Sequence, residues 1–265
     1  MKQRIITGVI AGGLFAILVF LGNIPYELLM IALALIGFYE FARMHHAKPF
    51  DIASLLGYVL ILLLVVPWEK WGIGLHLSWE TAIWFIMFGL LSITVISKNQ
   101  VPIQAVSQLL LGSLYIGIGF KYMLITRTYS DNGLFWTILL FAAIWASDIG
   151  AYFTGRAVGK HKLWPSISPN KTIEGAIGGV ICSLVVCIIA LFIRPDMLNI
   201  PLTFGIGLAA SVVGQMGDLI QSAYKRVVGV KDSGTLLPGH GGVLDRCDSW
   251  LIVFPFVHFI GLLTL

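Results

Sequence analysis

Residues 173–193 read IEGAIGGVICSLVVCIIALFI, free of charge apart from Glu174 near its start. A run of this length crosses a ~30 Å hydrocarbon core as an α-helix. It shows none of the polar–apolar alternation that a membrane β-strand needs. Eight further segments read the same way: roughly 5–22, 25–42, 52–67, 79–97, 105–126, 134–153, 199–220 and 248–265, the third being short. The whole chain agrees with them. Of its 265 residues 58% are hydrophobic and only 11% charged, with a mean hydropathy of +0.91. Soluble domains carry roughly 25% charged residues. The expected fold is therefore all-α, a polytopic transmembrane bundle of about nine spans. The first run follows Met1-Lys2-Gln3-Arg4, has no small-x-small cleavage site and is succeeded at once by another run, so it reads as a retained helix rather than a signal peptide.

Lysine and arginine placement orients such a bundle, because cytoplasmic loops are enriched in them. With the N-terminus inside, thirteen of the seventeen basic residues fall in inside segments. Lys70, Arg127 and Arg194 fall outside, and Lys121 lies within a span. The expectation is N-terminus cytoplasmic and C-terminus on the opposite side. Loops 154–172 and 221–247 then face the cytoplasm. The chain reads as a single integral membrane domain over 1–265, with 1–130 mainly scaffold and 131–265 the catalytic half. Cys182, Cys187 and Cys247 have no metal-site or disulfide spacing and read as small buried hydrophobes.

One stretch departs from the apolar background. Residues 217–249 read GDLIQSAYKRVVGVKDSGTLLPGHGGVLDRCDS. Charge beside apolar spans is expensive and marks function. Asp218 closes the eighth span, and Ser222, Lys225 and Arg226 follow at helical spacing. Asp245 and Asp248 stand three apart and share a face if that segment is helical. Asp218, Asp245 and Asp248 together make a hard oxygen set that suits Mg²⁺, which takes one or two carboxylates plus water and phosphate oxygens. His240, between glycines, reads as a phosphate donor or a general base, the donor role being favoured.

Two further segments point the same way. Asp148 lies near the cytoplasmic end of the sixth span, where an ionisable group faces the bundle interior or a wet cavity. Gly155-Arg156-x-x-Gly159-Lys160-His161-Lys162 follows it, basic but lacking the Walker A order. Ser168-Pro169-Asn170-Lys171-Thr172-Ile173-Glu174-Gly175 opens the seventh span. Thr172 is an expected N-cap, and the helix start favours anions. Glu174 is either an ordinary first-turn glutamate or a metal candidate. Gly175, Gly178 and Gly179 suggest close helix packing.

The spacing Ser222-x-x-Lys225-Arg226, Lys231-Asp232, then Pro238-x-His240-Gly241-Gly242-x-x-Asp245-Arg246-x-Asp248 resembles the signature of the phosphatidate cytidylyltransferase (CDP-diacylglycerol synthase) family. Tyr224 stands where that signature usually has an aliphatic residue or Phe. The 145–175 region and the multi-span layout are similar to the family as well. The resemblance implies a nucleotidyltransferase: CTP plus phosphatidic acid gives CDP-diacylglycerol plus pyrophosphate, in phospholipid biosynthesis. It implies catalytic roles for Asp218, Asp245, Asp248 and Lys225. Substrate contacts would come from Ser222, Arg226, Lys231, His240, Arg246, Lys171, Asn170 and Thr172. The metal candidates are Asp218, Asp245, Asp248, Asp148 and Glu174, for Mg²⁺ with Mn²⁺ as a substitute. The expected partners are CTP, phosphatidic acid and the bilayer, with no nucleic acid and with a homodimer left open. The expected location is a bacterial inner membrane, with the active site facing the cytoplasm. The alternative is a related CTP-dependent enzyme on another membrane lipid, resembling a polyprenol kinase. A CDP-alcohol phosphatidyltransferase would carry Asp-Gly, which this chain lacks. A transporter would place polar breaks near the midplane of both halves, whereas the charges here gather in one half.

Overall fold

A computed structural model of the chain describes residues 2–75, 77–129, 132–236 and 238–263, with backbone alone for 2–5. Helices dominate: α1 (Lys2–Leu21), α2 (Asn23–Met44), α3 (Ile52–Val65), α4 (Trp79–Ile96), α5 (Ile103–Thr128) and α6 (Gly133–Val158). A two-stranded ribbon follows, β1 (Lys162–Trp164) and β2 (Ser168–Thr172), then α7 (Ile173–Ile193). The rest is α8 (Ile200–Leu208), a π-helical turn (Ala209–Val213), α9 (Gly214–Val227), α10 (Leu244–Cys247) and α11 (Trp250–Phe259).

Every predicted span contains a helix, and the chain is an all-α integral membrane protein. Among the described residues six helices are long and apolar enough to cross a bilayer, while Ile6–Leu21, Ile52–Val65 and Trp250–Phe259 are shorter. Large apolar side chains line the outside, as on α7, where Ile177, Ile181, Val185 and Ile189 repeat every fourth residue and are exposed. A soluble protein would hide such a stripe. The structure differs from the sequence reading in three places. The eighth span continues to Val227 as a compound helix with the π-turn inside it. The last segment is two pieces, α10 and α11, with Asp248 and Ser249 between them. Its final positions, 264 and 265, lie outside the described residues. Residues 154–172 are not all loop: β1 and β2 pair antiparallel, Lys162 opposite Thr172 and Trp164 opposite Ser168.

The chain forms two compact units, one from residues 1–124 and 232–246, the other from 125–231 and 247–265. In the first, α2 is the central helix. Tyr26, Met30, Ala34, Phe38 and Phe41 are all buried on one stripe of it. Phe38 packs on Gly57 of α3 and Phe41 on Gly112 of α5, with no room for a Cβ at either glycine. The Tyr26 hydroxyl donates to the Met123 carbonyl at 3.1 Å. Buried Glu27 accepts from Lys70 Nζ at 2.5 Å and Trp71 Nε1 at 2.7 Å. In the second unit α6 and α7 lie backbone to backbone. Gly150 meets Cys182, Gly178 meets Thr154, and Gly175 meets the Ala151 carbonyl. This is the small-residue packing expected of the 175–179 glycines. The Ser183 hydroxyl donates to the Gly207 carbonyl at 2.9 Å, tying α7 to α8. Phe141 of α6 meets Trp250 and Phe254 of α11 with ring centroids 4.8 and 5.1 Å apart.

Candidate active site

A cavity of about 460 Å³ opens in the second unit. The last turns of α6 give it Asp148, Ala151, Tyr152, Gly155 and Arg156; the ribbon gives Leu163, Asn170 and Lys171. The first turn of α7 adds Thr172, Gly175 and Ala176, and α9 adds Gln215 and Asp218. Thr172 is the N-cap of α7, its Oγ1 accepting from Gly175 N at 3.1 Å. That oxygen also sits against Gly155, Gly159 and Gly175, so the α6 end, the ribbon and the α7 start close on one threonine.

Lys171 Nζ reaches Asp218 Oδ2 at 2.6 Å, with the side chains 26% and 36% exposed. Ser222, one turn along α9, donates its hydroxyl to Asp218 Oδ1 at 3.2 Å. Asp248 lies beside α9 because Gly217 lets the Asp248 carbonyl and Ser249 Cα come in against the helix. Its Oδ1 accepts from Ser249 N at 2.7 Å. Asp148, Asp218 and Asp248 lie within electrostatic reach of one another, with Lys171 near Asp148 and Lys225 near Asp248. Arg226 Nε donates to the Ile167 carbonyl at 3.2 Å and ties the end of α9 to the ribbon's turn. Among the described residues no three His, Cys, Asp or Glu side chains gather closely enough to enclose a metal. Three partly open aspartates still suit Mg²⁺, which needs only one or two carboxylates and leaves its other positions to water and phosphate.

Several residues do something the sequence did not reveal. Glu174 accepts from Lys160 N at 3.0 Å, from His161 N at 3.2 Å, and bonds His161 Nδ1 at 2.6 Å. Its carboxylate holds the turn that leads into β1. Gln215 donates to the Ala176 carbonyl at 3.2 Å and to Ser211 Oγ at 2.9 Å. Ser211, on the π-turn, meets Ser147 Oγ at 2.7 Å. This polar thread joins α6, α7 and α9 just below the cavity. Its signal was present as Gln215 three residues before Asp218, one helical face carrying two polar groups in an otherwise apolar run.

The signature residues from Asp232 to Arg246 lie in the first unit. Asp245 Oδ2 accepts from Ser233 N at 2.8 Å, Ser233 Oγ at 3.0 Å and Gly242 N at 2.9 Å, closing the 233–242 loop. Gly241 has φ +81°, a conformation that favours glycine, and the Asp245 carboxylate leaves no room for a Cβ there. His240 packs against Gly8 of α1, and its Nδ1 is buried without a hydrogen-bond partner among the described residues. Arg246 is exposed on α10, and Lys231 is exposed at the end of the second unit's first segment. Asp245 and Asp248 do not share one helical face, because α10 ends at Cys247.

A cavity carrying Asp148, Arg156, Lys171 and Asp218, among helices long enough to cross a bilayer, defines the class: an integral membrane protein with charged side chains gathered in one cavity. The chain belongs to the cytidylyltransferase family, whose sequence model matches residues 2–264. It is 41% identical over 267 aligned residues to the phosphatidate cytidylyltransferase of Bacillus subtilis (strain 168), covering 98% of this chain and 97% of that one. The phosphatidate cytidylyltransferase of Staphylococcus haemolyticus (strain JCSC1435) is 41% identical, with 98% of each chain covered. That of Staphylococcus aureus (strain COL) is 39% identical over the same share.

Proposed function

We propose that this chain is a phosphatidate cytidylyltransferase, joining CTP and phosphatidic acid into CDP-diacylglycerol and releasing pyrophosphate. The observation that carries the reading is the Lys171–Asp218 pair in a cavity shared with Asp148, in a chain similar along its whole length to enzymes of that name. A phosphate oxygen of the lipid attacks the α-phosphorus of CTP, and the bond from that phosphorus to the bridging oxygen of pyrophosphate breaks. The attacking oxygen is ionised near neutral pH, so no strong general base is needed. Bringing two polyanions together needs fixed positive charge, which Lys171, Lys225, Arg226, Lys231 and Arg246 supply as positioning and electrostatic stabilisation. Asn170, Thr172 and Ser222 offer neutral polar contacts. His240 serves as a donor to phosphate, from its place between two loop glycines.

Asp218 and Asp248, with Asp148 beside them, would hold Mg²⁺, or Mn²⁺ in its place. Bound there, the ion supplies Lewis-acid neutralisation of phosphate charge. Asp245 and Glu174 enter the reading through the loops they hold. The same reading keeps nine crossings, the N-terminus and the 154–172 and 221–247 loops cytoplasmic, and a bacterial inner membrane, with a homodimer left open. The test is a pyrophosphate-release assay on purified protein with CTP and phosphatidic acid, run beside CTP and a polyprenol. CDP-lipid from phosphatidic acid is expected. Its absence, or product from the polyprenol alone, would overturn the reading.

A further inference from the structure

The acid that organises the glycine-rich loop is not in the signature at all. Glu40 sits in the last turns of α2, only 4% exposed. Its Oε2 accepts from the Ser233 hydroxyl at 2.9 Å and from Leu244 N at 3.0 Å. Its Oε1 accepts from Val243 N at 2.9 Å. These partners lie 193 to 204 residues away along the chain. Both Gly234 and Gly242 press on the same carboxylate so closely that neither position has space for a Cβ. Asp245 holds the loop from the other side through Ser233 and Gly242. The single hydroxyl proton of Ser233 therefore stands between two carboxylates, Glu40 Oε2 at 2.9 Å and Asp245 Oδ2 at 3.0 Å.

A carboxylate this deep in an apolar helix is expensive to bury unless donors surround it. Here the donors are the Ser233 hydroxyl and two backbone N–H groups at the start of α10, where a helix leaves its first N–H groups without a carbonyl partner. One fixed anion thus satisfies the start of α10 and the Ser233 hydroxyl together, and the gain is a loop whose shape is set from outside. We propose that Glu40 is a positioning residue: through Ser233, Val243 and Leu244 it fixes the loop that presents His240 and Arg246 to the phosphates. The proposal rests on the phosphatidate cytidylyltransferase reading for what that loop contacts.

The experiment compares wild type, Glu40→Gln and Ser233→Ala in detergent, with kcat and KM for CTP measured at saturating phosphatidic acid, and amide hydrogen exchange followed at Val243 and Leu244. Glutamine keeps the shape but turns an –NH₂ group toward a donor. Misplacing a contact by ~1 Å can cost roughly 10²-fold, so Glu40→Gln should lose between about 10- and 100-fold in kcat/KM for CTP, with faster exchange at both amides. Helix content and the unfolding midpoint of the bundle should stay close to wild type. Ser233→Ala, which removes only the bridging hydroxyl, should change the same two readouts in the same direction by less. Kinetics within about twofold of wild type in both variants, with unchanged exchange, would overturn the proposal. So would a loss of kcat alone that tracks a lowered unfolding midpoint. Should Glu40→Gln fail to fold, Ser233→Ala decides by the same criteria. A wild type without CTP-dependent turnover would refute the reaction reading instead, and the exchange readout would still decide whether Glu40 fixes the loop.

Discussion

Lys171→Ala separates catalysis from stability most sharply. Lys171 Nζ lies 2.6 Å from Asp218, yet about a quarter of the lysine side chain and a third of the aspartate side chain are exposed. For charges in such a half-open setting the gross attraction is several kcal/mol at an effective dielectric of ~20. Solvation and side-chain entropy cancel most of it, leaving a net of about 0–1 kcal/mol for the folded state. The same ammonium placed against a phosphate during the reaction is worth far more. Removing one such preorganised donor typically costs ~10²–10³ in rate, about 2.7–4 kcal/mol. Lys171→Ala should therefore lower kcat/KM by roughly two to three orders of magnitude while the unfolding midpoint barely moves. The assay is incorporation of labelled CTP into lipid by detergent-solubilised protein, beside a thermal unfolding curve on the same preparation. The double variant Lys171→Ala/Asp218→Asn adds a check: groups that act as a unit are non-additive, so the pair should lose about as much as its worse single variant. Near-wild-type turnover, a midpoint falling in step with activity, or additive losses would each refute the reasoning.

Asp248→Asn should abolish turnover by about 10² or more without changing helix content by circular dichroism; wild-type rates would remove Asp248 from the site. Chelation with EDTA should stop the reaction and Mg²⁺ or Mn²⁺ should restore it, whereas a rate indifferent to chelator would end the divalent-ion reading. Gly178→Leu puts a large side chain where Thr154 already fills the α6–α7 seam. Overpacking of this kind costs about 1–3 kcal/mol, so the unfolding midpoint should fall, and an unchanged one would contradict the backbone contact.

Much of this was legible in the sequence because it rests on local chemistry. Apolar run lengths located every major helix, Thr172 declared itself as a cap, and Gly175, Gly178 and Gly179 announced a tight helix pair. The acids Asp148 and Asp218 were visible as charges that apolar helices do not carry idly. What was hidden depends on contacts across long sequence distances. Glu40 sits in an apolar helix like any snorkelling or interfacial glutamate, and nothing near it names Ser233 or Leu244 as partners. The π-turn at 209–213 has no residue signature of its own, since AASVV would serve equally well in an α-helix. The ribbon at 162–172 is too short and too charged to show strand alternation.

The glycines carry the sharper lesson. Read along the chain, Gly234, Gly241 and Gly242 are loop glycines, and Gly155 and Gly159 stand in a basic segment. In the structure the first three make room for carboxylates: Glu40 against Gly234 and Gly242, Asp245 against Gly241. Gly155 and Gly159 make room for Thr172. A missing Cβ states only that something comes close, not what its charge is. The identity of the neighbour decides the chemistry. An anion that fixes the loop and the start of α10 leaves the side chains they carry, His240 and Arg246, to meet another anion. This is why losing Glu40 should be felt in CTP binding rather than in the folding of the helices.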